Sequence, residues 1–247
     1  KGPNNSLKQL AAALSEQGVA SVRYDKRGVG GSSAALPDRT ALRLETYVSD
    51  AAAWVRLLAQ DARFNKVVVL GHSEGALIGL LAAQHSPVAG YVSLAGSAQR
   101  ASDLLRRQLQ GHMPPELAEQ NEAILTALEA GQTVDDVPAP LLALYRPSGQ
   151  RYLMSWMSYQ PTDELARLKM PCLIVQGSTD IQIRVADAEA LHTANPACGL
   201  KVIDGMNHVL KRVPADRPQQ LASYSDPTLP LAPELVQAVA AFLAAKP

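Results

Sequence analysis

The chain lacks most of the features that announce a function class on their own. Its 247 residues carry 23 Lys+Arg against 23 Asp+Glu, for a net charge of zero. Without a global basic field there is nothing to hold a phosphate backbone, which argues against a dedicated nucleic-acid binder. No apolar run approaches the ~18 uninterrupted residues of a membrane-spanning helix, so no membrane span is expected. Cysteine is scarce: Cys172 and Cys198 occur without a C-x-x-C spacing, which excludes a zinc knuckle. Cys172 stands in an apolar run and reads as a buried core thiol, and a chain this long can form a core without disulfides or a structural metal. Internal repeats and low-complexity tracts are missing. So are an initiator methionine and the basic-then-apolar pattern of a signal peptide at Lys1-Gly2-Pro3-Asn4-Asn5. The sequence is therefore expected to begin inside a longer or processed protein. Its compartment, cytoplasmic or exported, stays open.

What is present is a rhythm of alternating elements. From Ser6, Leu7, Leu10, Ala11 and Leu14 share a helical face, with Gly18 as a stop. Residues 19–24 (Val-Ala-Ser-Val-Arg-Tyr) read as a strand that ends in the turn-rich segment 25–32. A second amphipathic helix is expected over 46–61, with Val48, Ala51, Ala52, Val55 and Leu58 inward. Residues 66–70 form a short continuous apolar run, as in a strand buried on both faces of a parallel sheet. Further strands are expected over 88–94, 172–177 and 200–203. A small-residue helix over 76–84 follows the run at 66–70, and a proline-started helix over 233–245 closes the chain. Strands alternating with helices imply an α/β fold, a mostly parallel sheet with helices on both faces. Residues 97–162 break the rhythm with helical segments near 101–111, 115–131 and 149–159 and no convincing strand. They are expected to form a helical cap insertion over the carboxyl ends of the strands, with 1–96 and 163–247 as the core.

The sharpest chemical signal is Gly71-His72-Ser73-Glu74-Gly75, a G-x-S-x-G string between a buried strand and a small-residue helix. In that context the chain turns so tightly that the serine takes a strained backbone conformation and projects above the sheet. The helix that follows turns its positive end toward developing negative charge. Ser73 is thus the expected nucleophile. A serine needs a base, and the base needs an orienting carboxylate. Among five histidines, His72 and His85 sit too close to the turn and its helix, His112 lies in the inserted region, and His192 lies in a helix. His208 stands in a loop after the last strand, where a base belongs. For the acid, Asp163, Asp187 and Asp204 compete with Asp180, but Asp180 alone follows the penultimate strand on the same edge as Ser73.

Together, segment 24–32 (Tyr-Asp-Lys-Arg-Gly-Val-Gly-Gly-Ser), the turn at Ser73, Gly177-Ser178-Thr179-Asp180 and Asn207-His208 resemble the α/β-hydrolase superfamily. More narrowly, G-H-S-E-G, the N-H-x-L-K run from Asn207 to Lys211 and the tail from Tyr224 to Leu231 resemble bacterial serine esterases of the serine-aminopeptidase-like branch. The resemblance implies cleavage of small-molecule carboxylic esters, generally short-chain ones, with no cofactor. It also implies an oxyanion hole with one donor at the Glu74 N–H and a second on a loop after a strand that would precede Lys1, so N-terminal strands are expected beyond the sequence given. Other readings stay in view: aminopeptidase, thioesterase or acyltransferase chemistry on the same fold, or a receptor with negligible turnover. A dehalogenase would need aspartate in place of Ser73. Arg27 reads as a structural tie between loops, with substrate binding as the alternative, and the Glu74 carboxylate as a local hydrogen-bond or ion-pair partner, with a substrate's free amine as the alternative. Leu104, Leu105, Leu109, Met113, Met154, Trp156, Met157 and Tyr159 read as an apolar underside of the cap or as helix-packing faces.

Overall fold

The computed structural model describes residues 3–245. Four strands, β1 (Val68–His72), β2 (Gly90–Leu94), β3 (Cys172–Gly177) and β4 (Gly199–Ile203), form one sheet in the order β1-β2-β3-β4. Every neighbouring pair is parallel. Helix α1 spans Ser6–Glu16, α2 Leu44–Ala59 and α3 Glu74–Gln84. The inserted region holds α4 (Ala101–Leu109), α5 (Pro115–Glu129), the single-turn α6 (Leu142–Tyr145) and α7 (Pro147–Met157). Then follow α8 (Pro161–Ala166), α9 (Val185–Ala194), α10 (Arg217–Ser223) and α11 (Pro233–Ala244). No helix among the described residues is long and apolar enough to cross a membrane.

The period of two along the strands sorts side chains to opposite faces. Val92, Leu94 and Val175 pack with Leu10 and Leu14 of α1 and Leu235, Val239 and Leu243 of α11. Tyr91, Cys172 and Ile174 pack on the other face with Leu80 and Ala83 of α3 and Ala188 and Leu191 of α9. Helix α3 is buried continuously from Ala76 to Ala83, because the sheet lies on one side and α2 on the other. This layering, helices on both faces of a parallel sheet, is the α/β architecture expected from the pattern.

Two expectations fail. Residues 19–24 do not form a strand, and Val22 (47%) and Tyr24 (39%) are exposed. An apolar run becomes a strand only where a neighbour satisfies its backbone groups. The sheet ends at β1, and this run pairs with no strand among the described residues. Tyr24 instead stacks on Trp54 of α2 at 5.6 Å between ring centroids. Second, Cys172 is buried but is not a thiol, since it forms a disulfide with Cys198. Leu173 lies beside Gly199 in the β3–β4 register. The residue before each is a cysteine, so the pairing of the two strands brings the sulfurs together.

Within residues 97–162 the structure is helical. Ile124, Leu125, Leu128, Leu141, Tyr145 and Met157 form a separate apolar cluster, joined at its edge by Leu105, Met113 and Met154. Most of the apolar stripe read from the sequence therefore packs helix on helix, whereas Tyr159 and Trp156 lean on the α2–α3 cluster.

Candidate active site

The carboxyl ends of β1, β3 and β4 meet at one edge of the sheet. Between β1 and α3 the chain reverses through Ser73, whose φ of 58° and ψ of −125° lie where non-glycine residues are rarely found. Gly71 is sterically obliged here, because a Cβ would stand 2.1 Å from the Gly75 carbonyl. Gly75 is not pressed in the same way, since a Cβ there would meet nothing within 4 Å. Of the two glycines of the string, only the first is required by a close approach. Ser73 N–H donates to the Leu94 carbonyl (2.9 Å), which ties the turn to the end of β2. The Glu74 N–H opens α3, where first-turn N–H groups have no partner within the helix.

His208 and Asp180 come to this turn from two other loops. The Ser73 hydroxyl lies 3.0 Å from His208 Nε2, and His208 Nδ1 lies 2.8 Å from Asp180 Oδ2. An ionised carboxylate only accepts, so the proton sits on Nδ1 and Nε2 presents a lone pair to the serine hydroxyl. Both the His208 and Asp180 side chains are 0% exposed. The carboxylate is held from four directions. Oδ1 accepts from the backbone N–H of Gln182 (2.7 Å) and of Ile183 (3.0 Å), while Oδ2 accepts from His208 and from Gln176 Nε2 (3.2 Å). Gln176 is wholly buried at the end of β3, and its amide also donates to the Ile183 carbonyl (2.9 Å). Sequence reasoning missed it; the only available signal was a polar residue closing an otherwise apolar strand.

The His208 loop is fixed just as firmly. Asn207 Oδ1 accepts from the N–H groups of Val209 (3.1 Å) and Lys211 (3.0 Å), and its amide donates to Ser223 Oγ (2.7 Å) in α10. Ser6 of α1 donates to the Val209 carbonyl (2.5 Å). The buried ammonium of Lys211 reaches Gln9 of α1 and the Leu229 carbonyl. A Cβ on Gly177 would fall 1.9 Å from the Met206 carbonyl, so glycine alone lets β3 and this loop come so close. His72 faces the loop as well: its Nε2–H donates to the His208 carbonyl at 2.7 Å. The Tyr224 ring stacks on the His208 imidazole at 6.4 Å, and burial pushes its phenol up to about 12, so it stays neutral beside the imidazole.

The competing residues lie elsewhere. His85 and His112 are exposed, and His192 donates from Nδ1 to the Cys198 carbonyl. Asp163 is exposed in α8 and Asp204 accepts from Ser178 Oγ. Asp187 is buried at the start of α9, where it pairs with Arg107 of α4 (2.8 Å) and accepts from the Ala98 N–H (3.2 Å). Arg27 is a structural tie, donating from Nε and Nη2 to Asp50 of α2 and from Nη1 to the Ala35 carbonyl. The Glu74 carboxylate is engaged by Lys26 and by the Tyr152 hydroxyl (2.6 Å). Burial, and then the Glu74 charge, raises the Tyr152 phenol well above its ordinary value, so Tyr152 is the donor.

In front of Ser73 lies a cavity of about 90 Å³ between the sheet edge and the inserted helices. Leu77, Leu104, Trp156, Pro161 and Ile183 supply its apolar walls, and Gln99, Gln108 and Gln182 its polar ones. None of the methionines considered for an adaptable pocket lines it.

The family described as serine aminopeptidase, S33, matches residues 4–212, and the chain belongs to this family of α/β hydrolases. Esterase EstD of Thermotoga maritima is 29% identical over 213 residues, which are 85% of this chain and 50% of EstD. The chain thus spans about half the length of that curated relative. Two solved structures share the fold at low identity. Est1E from Butyrivibrio proteoclasticus, determined with ferulic acid bound, has a TM-score of 0.63 at 19% identity, over 99% of this chain and 87% of that one. A bromoperoxidase from Bacillus anthracis has a TM-score of 0.59 at 19% identity, over 98% and 88%.

Proposed function

We propose that the protein is a serine hydrolase acting on carboxylic esters of small molecules, with Ser73 as nucleophile, His208 as general base and Asp180 as its orienting acid. The observation that carries this is the unbroken hydrogen-bond series from the Ser73 hydroxyl through the His208 imidazole to Asp180. His208 Nε2 takes the proton as Ser73 Oγ attacks the ester carbonyl. Asp180 stabilises the imidazolium, and His208 then returns the proton to the departing alcohol. The acyl-enzyme that remains is hydrolysed by a water that His208 deprotonates, which frees the acid and restores Ser73. The Glu74 N–H donates to the oxyanion, a contribution typically of about 3–4 kcal/mol. Residues 97–162 act as a cap that roofs the cavity, on a core of 1–96 and 163–247.

Esters are favoured over peptides by the state of Glu74. An aminopeptidase would need a free carboxylate for the substrate's amine, and this one is already neutralised by Lys26 and bonded by Tyr152. The small cavity favours short acyl groups. The test is hydrolysis of p-nitrophenyl esters of increasing acyl length by wild type and Ser73→Ala. Turnover greatest on short esters and lost in the variant supports the reading. Turnover that survives the substitution, or none on any ester, refutes it.

A further inference from the structure

Glu74 places a negative charge beside a reaction that creates another. It follows Ser73 in the chain, opens α3 and lines the same cavity. Five bonds separate a glutamate oxygen from its own backbone nitrogen, so the two are never more than about 6 Å apart. An oxyanion bonded to that N–H therefore forms within about 9 Å of the carboxylate. Like charges at this range repel, the more so once a substrate has displaced water from the site.

The carboxylate has a structural task. Its Oε1 accepts from the Tyr152 hydroxyl (2.6 Å) of α7, the helix whose Trp156 walls the cavity. Tyr152 also packs edge-on against Tyr47 of α2 at 5.6 Å, and the Leu44 N–H of α2 donates to Ser155 Oγ of α7 (2.8 Å). Glu74 thus docks the inserted helices onto the nucleophile turn. A phenol brings a hydrogen bond but no net charge, so Tyr152 leaves the charge of Glu74 unbalanced.

Lys26 supplies what the phenol lacks. Its ammonium pairs with Glu74 Oε2 and is held from a second side by the Tyr47 ring, 4.7 Å from the centroid. The Tyr47 hydroxyl donates to the Arg27 carbonyl (3.2 Å), which anchors the segment that carries Lys26. Arg27, next in the chain, is already paired with Asp50.

The geometry points to Lys26 as a positioning residue for the chemistry: it neutralises the Glu74 carboxylate, so that the oxyanion develops beside a balanced pair instead of an uncompensated negative charge. This rests on the hydrolase reading given above. Lys26 acts through Glu74 and touches no reacting atom. The oxyanion carries more charge in the transition state than the carbonyl does in the bound ester, so the benefit falls on kcat.

The test is a double-mutant cycle of Lys26→Met and Glu74→Gln on the purified protein, read as kcat and KM with p-nitrophenyl acetate. Glutamine keeps an oxygen for Tyr152 and removes the charge. With Glu74 present, Lys26→Met should lower kcat about 10-fold at nearly constant KM. In the Glu74→Gln background the same substitution should change kcat by less than about twofold. Lys26→Gln, which stays polar but uncharged, should repeat both results. A loss of equal size in the two backgrounds, or no loss in either, would overturn the assignment while leaving the hydrolase intact. The rate at which a fluorophosphonate labels Ser73 should follow the same cycle, since its phosphoryl oxygen gains the same charge, and this readout needs no ester turnover. A Ser73 that the probe fails to label would instead overturn the hydrolase reading, and this assignment with it.

Discussion

Two walls of one small cavity are built on opposite principles. On the side of Ser73, His208 and Asp180 the polar groups are committed: the carboxylate takes four hydrogen bonds, and the base loop is tied to α1, α10 and the segment before α11. The rest of the lining is largely apolar surface, from Leu77, Leu104, Trp156, Pro161 and Ile183. The difference separates two tasks. Chemistry needs groups that no longer move, since a misplacement of about 1 Å can cost 10²-fold. Holding an apolar substrate group needs surface that asks for no partner.

The comparison can be broken most severely at Ser73. Ser73→Ala should lower ester turnover by about 10⁴-fold or more, with the thermal midpoint little changed, because loss of one member of such a series removes the function of all. A residual rate above a hundredth of wild type would show that the saturated wall is not where the chemistry occurs.

Next in size is the disulfide, which ties β3 and β4, the strands that deliver Asp180 and His208. Its sulfurs are 26 residues apart in sequence. Chain entropy gives such a loop about 3 kcal/mol of stability, so Cys198→Ser should lower the melting temperature by roughly 6–12 °C. Turnover at 25 °C should persist, because the loops carry their own hydrogen bonds. If activity disappeared while the fold remained, the bridge rather than those bonds would be what fixes the site.

Gln176→Leu sharpens the comparison within the committed wall. It removes one donor to Asp180 and should cut kcat roughly 10- to 100-fold with KM nearly constant. A Gln176 that merely filled space would leave kcat alone or shift KM and stability together.

The smallest effect lies in the inserted helices, where Arg106 of α4 bonds Glu122 and Glu129 of α5. These hydrogen bonds hold the Glu129 carboxyl at about 2, against an ordinary 4.5. The folded value is the lower one, so the stabilisation is complete above pH 4.5 and is lost as the pH falls toward 2. The groups are well solvated, and the contribution should stay below about 1 kcal/mol. Acid unfolding followed by circular dichroism should be slightly less steep over that range in Glu129→Gln.

Much of this was legible in the chain. Short apolar runs located the four strands of the described residues, and the ranges over 46–61, 101–111, 115–131 and 233–245 fell on helices. Ser73, Asp180 and His208 could be chosen because strand ends in a parallel sheet share one edge, so position after a strand translates directly into position in space. The run at 19–24 misled for the converse reason: its residues favour a strand, but strand formation needs a neighbour, and no pattern within the run reports one.

The sequence by itself determined the alternation of elements, the tight turn at Ser73 and the placing of Ser73, Asp180 and His208 after successive strands. These are local properties, written in spacing and residue type. Tertiary structure alone decided that Cys172 meets Cys198, that Gln176 braces Asp180, that Lys211 is buried against α1, and that the side-chain oxygens of Gln99, Gln176 and Gln220 are left without a partner. Each depends on which residues distant in the chain become neighbours, and hydrogen-bond saturation can be read only once those neighbours are in place.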